Sequence, residues 1–591
     1  MLRISGGAVC LFAGALLALS GCRKSAAPVA AAPVAGSRAV LEWPMLRDAF
    51  IEEYLKAQPF FAAQAGRHEY DGQMPDLSAA GIAHEIARLH AAREQIGAVD
   101  PAELRTDQRF ERDYALGVVD RDLFWLETAR QPFTNPYWYI NAIDPDVYLS
   151  RNYAPLEQRM KAYISYARTI PTVAAQIAEN LAAPLPKSFV ELAVDGFGGY
   201  ADFYEQDVAA IFAPVGDAQL QRQLAVADAA AAQAMRRLKD HFVAQRNAAA
   251  ANFALGKDLF AAMLRETERV DVPIDVIEAA GRADLERNLA ALASECGRFL
   301  PRRTIRACID KMAADKPQGG AVEAARAQLE VLKKFVVDRA VVSIPSPEDA
   351  LVAEAPPYNR GNFAFIQVPG PYDRAVASIY NIAPPDPTWS SAEQAAYIPG
   401  NAVLMFTSAH EVWPGHFLQF LHSNHNPSKL EGLWIGYAFA EGWAHYCEEM
   451  MIERGFGDGD PAMHIGQISE ALLRDVRLLS AIGMHTQGMT EAESDQMFRE
   501  RAYQDPGNAR QQAARGTYDP AYLNYTLGKL MIRKLRDDWV AKRLAAAPAG
   551  ASSEADRQKL WRQFHDKFLS YGGPSIPQLR TEMLGEQGAL L

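Results

Sequence analysis

His410-Glu411-Val412-Trp413-Pro414-Gly415-His416 and, 25 residues further on, Glu441-Gly442-Trp443-Ala444-His445-Tyr446-Cys447-Glu448-Glu449 carry most of the metal chemistry in this 591-residue chain. An adjacent His-Glu followed by a second His is how one helix offers two imidazoles to Zn²⁺ and a carboxylate to a water. The common spacing sets the histidines four residues apart, whereas here i+4 is Pro414 and the next histidine stands at i+6. Six residues on a regular helix turn a side chain roughly 120° away from the first, so an unbroken helix cannot bring both rings to one ion. Pro414 removes a ladder hydrogen bond and Gly415 accepts backbone angles other residues avoid. The pair therefore predicts a bulge or break that returns His416 to the face of His410. A bare His-Glu before Pro-Gly is more often a chance pair at a helix end. Glu441 weighs against that, being a suitable third ligand on what reads as the following helix. Glu441, His445 and Glu448 share one helical face at i, i+4 and i+7, so His445 or Glu448 is an alternative ligand. Their preferred role is to orient the imidazoles from behind.

Outward from this stretch the chain reads as helix after helix. Leu220, Leu224, Ala227, Ala231, Met235, Leu238 and Phe242 step by threes and fours, as do Val322, Ala325, Leu329, Leu332 and Val336; both stripes are core scaffolding. Between Pro356 and Pro387 the pattern changes. Two short runs there, Asn362 to Val368 and Ala377 to Ile382, predict a small antiparallel β element near residues 360–385. Its use is either an exposed edge that an extended peptide joins or a hairpin covering the core, and Tyr380 and Asn381 are its candidate substrate contacts.

The segments HEVWPGHFLQ and EGWAHYCEE, with RHEYDGQMPDLS from Arg67, LRDVRLLSAIGMH from Leu473 and DPAYLNYTLGKLMIRKLR from Asp519, resemble the bacterial family known as domain of unknown function 885. That family is itself similar to the glutamate-zincin metallopeptidases. The resemblance spans nearly the whole mature chain. It implies a mainly α, zincin-like fold of two lobes around an active-site cleft, metal ligands at His410, His416 and Glu441, and Glu411 as general base. It carries no substrate with it. His485 also matches a family position and is a catalytic candidate of second rank. Tyr522 and Tyr525 are similar to the tyrosine pair that zinc dipeptidyl carboxypeptidases place opposite their metal, which gives Tyr525 the oxyanion and Tyr522 the substrate. Arg515 and Lys529 are the basic residues nearby that can meet a peptide carboxylate.

The amino-terminal end reads as an export signal: Arg3, an uncharged apolar run from Ala8 to Leu19, then Leu19-Ser20-Gly21-Cys22. That pattern is a lipoprotein cleavage box, and the run is short for a permanent span. Residues 1–21 are read as the signal, Cys22 as the lipidated first residue, 22–40 as a disordered Ala/Pro-rich tether, and 41–591 as one helical domain. The expected location is the cell envelope, with the outer membrane or periplasmic face preferred if there are two membranes, and the lipid as the only membrane anchor. The formal net charge of −12 argues against a nucleic-acid partner. Of the five cysteines, Cys296 and Cys308 are able to pair in an oxidising compartment, and Cys447 is expected to be a buried core residue. The expected function is zinc-dependent hydrolysis of peptide bonds by activated water, of carboxypeptidase or oligopeptidase type, on short or unfolded peptides. The alternatives are an inactive surface-anchored peptide-binding protein and a zinc hydrolase of a non-peptide amide or ester.

Overall fold

The long stripe that steps from Leu220 to Phe242 forms a helix, Ala218–Gln245, and every residue of that stripe is buried. Asp217 starts this helix by accepting the backbone N–H groups of Gln219 and Leu220 at 2.7 and 3.0 Å, a cap that satisfies two otherwise unpaired donors. The second stripe lies on a helix spanning Ala321–Asp338, with Ala325, Leu329, Leu332 and Val336 inside. Each fully buried Leu or Phe in such a stripe contributes about 1.5–3 kcal/mol. The computed structural model describes residues 38–591 apart from 183, 357–359, 361 and 547–552. Cys22, the signal and nearly all of the tether lie outside the described residues; the first helix begins at Arg38, within the stretch expected to be tether.

The architecture is mainly helical, and the buried apolar residues form two clusters. One is built largely from segments between Phe60 and Phe242. The larger one takes in the amino-terminal helices and most of the buried apolar residues from Phe260 onward. The metal motif sits in the larger cluster. Among the described residues no helix is long and apolar enough to cross a membrane. Cys296 and Cys308 form a disulfide with Cα atoms 5.7 Å apart.

The β element is a three-stranded mixed sheet, not the purely antiparallel one expected. β1 (Leu351–Glu354), β2 (Ala364–Gln367) and β3 (Ile379–Ile382) lie in the order β1-β3-β2. β2 and β3 are antiparallel with Ile366 opposite Tyr380, while β1 runs parallel to β3. β3 is thus the central strand and β2 an edge.

Five helices position the site: α1 (Asn401–Glu411), α2 (His416–Asn424), α3 (Tyr437–Glu453), α4 (Pro461–Thr486) and α5 (Asn524–Ala545). α3 and α5 cross at Gly442 and Gly528, where the backbones themselves touch. A Cβ on Gly442 would lie 2.6 Å from Gly528 Cα, and one on Gly528 would lie 2.2 Å from the Ala438 carbonyl oxygen.

Candidate metal centre

The step from His410 to His416 is not a helical step, because α1 ends at Glu411 and α2 begins at His416. Between them Val412 leaves the helical region, Trp413–Pro414 is cis, and the Gly415 N–H donates to the Ala409 carbonyl at 3.0 Å. The break that Pro414 and Gly415 predict is therefore a change of helix. Gly415 is required by close approach, since an ideal Cβ there would stand 1.8 Å from the His410 carbonyl oxygen. α3 holds the turn from below: the Trp443 indole N–H donates to the Pro414 carbonyl at 2.9 Å, and the Cys447 thiol reaches the same oxygen at 3.5 Å. Cys447 is fully buried, as expected, and burial pushes its thiol well up.

This turn brings the two imidazoles edge to face, with centroids 4.7 Å apart. Glu441 Oε2, one turn into α3, lies 3.4 Å from His410 Nε2 and 3.2 Å from His416 Nε2. One ligand atom from each of the three residues lies within 4.8 Å of the others. Two nitrogens and one carboxylate oxygen are a donor set of the kind that can hold a catalytic zinc ion. The buried polar atoms fit such an ion. Glu441 Oε2 makes no hydrogen bond, and His410 Nδ1 is directed away, 2.7 Å from Glu448 Oε1, which leaves its Nε2 facing the cluster. Burial works against ionised Glu441, but His416 and His410 hold its carboxyl well below the ordinary range.

Behind His410 stands a buried polar group. Glu448, with no exposure, also accepts from His445 Nδ1 at 3.3 Å and pairs with Arg474 at 3.2 Å; Arg474 in turn holds Glu470 at 2.6 Å. Glu448 thus stands behind His410 and His445 behind Glu448, and neither joins the cluster of His410, His416 and Glu441. Replacing Glu448 by glutamine removes the charge that fixes the His410 tautomer. Zinc affinity, measured by competition with a chromophoric chelator, should fall about 10–100-fold.

Glu411 ends α1, and its Oε2 accepts the backbone N–H of Ile366 on the β2 edge at 3.1 Å. Burial pushes its carboxyl up, while His410 and His416 pull the other way. Across the site the Tyr525 ring lies nearly parallel to that of His410, centroids 6.3 Å apart. The guanidiniums of Arg477, Arg474 and Arg515 surround it at 4.7, 5.8 and 5.9 Å from its centroid.

Other expected site residues lie elsewhere. Tyr522 sits in the 3₁₀ turn Pro520–Leu523 that precedes α5; it is fully buried against Gly516, with the Arg515 guanidinium 6.0 Å from its ring centroid. His485 bonds the Gly516 carbonyl through Nε2 at 2.8 Å and the Leu255 N–H through Nδ1 at 3.3 Å. Burial pushes it down to about 4, and it serves as a structural strut. Tyr380 is fully buried with its hydroxyl 3.3 Å from Ser408 Oγ, and Asn381 donates to Gln367 Oε1 and the Ile379 carbonyl. Both stand on the central strand, so neither offers itself to a substrate. Arg515 does reach the site, tied to Asp519 at 3.0 Å and to the Tyr437 hydroxyl at 2.9 Å. Lys529 is fully buried, paired with Asp284 and lying 3.4 Å from Glu449.

Arg474, Arg477 and Tyr437 are site residues the sequence reading passed over. The signal available for the two arginines was positive charge at i and i+3 on a helix whose other residues are mostly apolar. A cavity of about 340 Å³ opens beside Glu441, lined among others by Tyr437, Trp125 and Glu268. A second, of about 370 Å³, shares Trp125, Tyr437 and Ala521 with it and extends toward Trp138 and Tyr518.

No curated protein matches the chain. Among solved structures, a candidate lipoprotein of unknown function from Shewanella oneidensis is similar over 92% of this chain and 99% of its own, with TM-score 0.74 and 23% identity. A candidate lipoprotein from Colwellia psychrerythraea is similar over 93% and 99%, with TM-score 0.76 and 15% identity. These similarities concern the fold. The family model described as "Bacterial protein of unknown function (DUF885)" matches residues 59–583, and the chain belongs to that family.

Proposed function

We propose that the chain is a zinc-dependent peptidase of the cell envelope, acting on short or unfolded peptides. The observation that carries this reading is the convergence of His410 Nε2, His416 Nε2 and Glu441 Oε2 beside Glu411. A zinc ion held by these three residues supplies Lewis acidity, making water a better nucleophile and a carbonyl a better electrophile. Glu411 takes the proton of the attacking water and passes it to the leaving amine nitrogen. Its Oε2 is already engaged by Ile366, so Oε1 is the oxygen that carries the proton. The Tyr525 hydroxyl donates to the carbonyl oxygen as that atom gains charge, and the three guanidiniums around its ring favour negative charge at that place. The second cavity is lined by residues that belong to or pack against both core clusters, Tyr54 and Leu126 from one and Tyr518 from the other, which supports a cleft between two lobes. Gly21-Cys22 and the description of the solved relatives as candidate lipoproteins support a lipid anchor as the link to the membrane.

The test is elemental analysis of the lipid-free protein together with hydrolysis of a mixed peptide library, with and without a chelator. Expected are about one zinc per chain and cleavage that the chelator stops. Tyr525→Phe should keep the zinc and lose about 100- to 1,000-fold in kcat. No metal even after incubation with zinc would overturn the proposal, and zinc without cleavage would turn it toward a non-peptide amide or ester.

A further inference from the structure

Arg477 lies on α4 one turn beyond Arg474. Of the three guanidiniums around Tyr525, two have carboxylate partners: Arg474 pairs with Glu448 and Glu470, and Arg515 with Asp519. Among the described residues no carboxylate pairs with Arg477. Its Nε donates to Gln512 Oε1, a neutral acceptor, at 2.8 Å, and the residue is only 7% exposed. An arginine stays charged at any pH the protein meets, and holding a guanidinium away from water without a counter-ion is strongly unfavourable. The charge is maintained beside the ring that abuts His410, where a ligand can supply the missing anion.

We infer that Arg477 receives the free carboxylate of the substrate, so that the site reads the carboxyl terminus of a short peptide. This assignment rests on the peptidase reading above. The His410 ring and the Arg477 guanidinium lie 6.3 and 4.7 Å from the centroid of the same tyrosine. They are therefore at most about 11 Å apart, the span of about three extended residues. A carboxylate held by the two parallel N–H groups of the guanidinium then stands one to three residues beyond the scissile bond, and the products are a shortened peptide and a small carboxy-terminal fragment. The basic residues that sequence offered for this task are committed elsewhere: Arg515 to Asp519 and the Tyr437 hydroxyl, Lys529 to a buried group of carboxylates.

The experiment uses one peptide in two forms, with a free carboxyl end and with that end amidated. Zinc-loaded protein should cleave the acid on the order of 100-fold faster in kcat/KM than the amide, and Arg477→Met should bring that ratio close to one. Equal rates on the two forms in the unaltered protein, or an unchanged ratio in Arg477→Met, overturn the assignment while leaving the peptidase reading intact. Binding is measured separately by titration calorimetry in the Glu411→Gln background, which needs no turnover. Acid-selective binding that Arg477→Met removes supports the carboxylate site even if no peptide is cleaved; absence of selectivity in both assays ends it. Thermal melting guards against misfolding. A methionine that replaces an unpaired buried charge should melt at or above the unaltered protein, and Arg477→Lys, which keeps the charge without the fork, should hold an intermediate ratio.

Discussion

Glu441→Ala protein should emerge from purification without zinc and without chelator-sensitive peptidase activity, yet folded. Glu441 is the one carboxylate in the cluster with His410 and His416, and its Oε2 is the atom that lies within 3.4 Å of both imidazole Nε2 atoms. Without it, two neutral nitrogens remain, a donor set too small to hold a catalytic ion in place. The substitution breaks no hydrogen bond at Oε2, and the side chain borders the cavity beside Tyr437, so the fold should persist. Melting curves give the reading that separates this from unfolding. A ligand that binds only the native state at 1,000 times its Kd stabilises it by about 4 kcal/mol, so added zinc should raise Tm in the unaltered protein and leave that of Glu441→Ala where it was. Full zinc content in the variant would show that another group, with His445 the nearest candidate in kind, holds the ion.

Gly415→Ala should cost nearly as much, for a reason of backbone geometry alone. The added Cβ would stand 1.8 Å from the His410 carbonyl oxygen and 2.6 Å from that of Ala409. Both obstacles are main chain, so no rotamer change relieves them. The turn must open, and with it goes the Gly415 N–H bond to Ala409 and the placement of His416. A shift of about 1 Å at a reacting group costs on the order of 100-fold in rate, and displaced backbone of this kind costs about 3–5 kcal/mol of stability. Gly97→Ala is the control, because nothing lies within 4 Å of a Cβ at that helical position; it should be neutral or stabilising by up to about 1 kcal/mol. Gly415→Ala protein with unaltered kcat/KM and Tm would show that the His410–His416 turn has another shape.

Much of the candidate site, the grouping of His410, His416 and Glu441, was legible because the information is local. A His-Glu pair, a helix breaker, a second His and a carboxylate on the next long helix lie within forty residues, and the helical stripes declare themselves by period. What escaped depends on partners far apart in the chain. Tyr380 and Asn381 looked available because β2 and β3 read as a hairpin; it is β1, four residues without alternation, that makes β3 central and buries both side chains. Tyr522 and Tyr525 looked like one pair at helical spacing, but the helix starts between them, at Asn524. His485 and Lys529 look chemical in sequence and prove to be occupied inside the core. Arg477 looked like any charged residue on a helix, and only the surrounding fold shows that no carboxylate among the described residues pairs with it. The pairing of Cys296 with Cys308 likewise needed a distance that one sequence does not contain.

The crossing of α3 and α5 at Gly442 and Gly528 has a mechanical consequence. Ordinary helix contacts are cushioned by a layer of side chains, which yields a little under heat, pressure or mutation. Here main chain rests on main chain, so the cushion is missing at the point between Glu441, on one rod, and Tyr525, on the other. The two groups are set by a hard stop. The gauge between the Glu441 carboxylate and the Tyr525 hydroxyl is set by two hydrogen atoms where any other amino acid would put carbon.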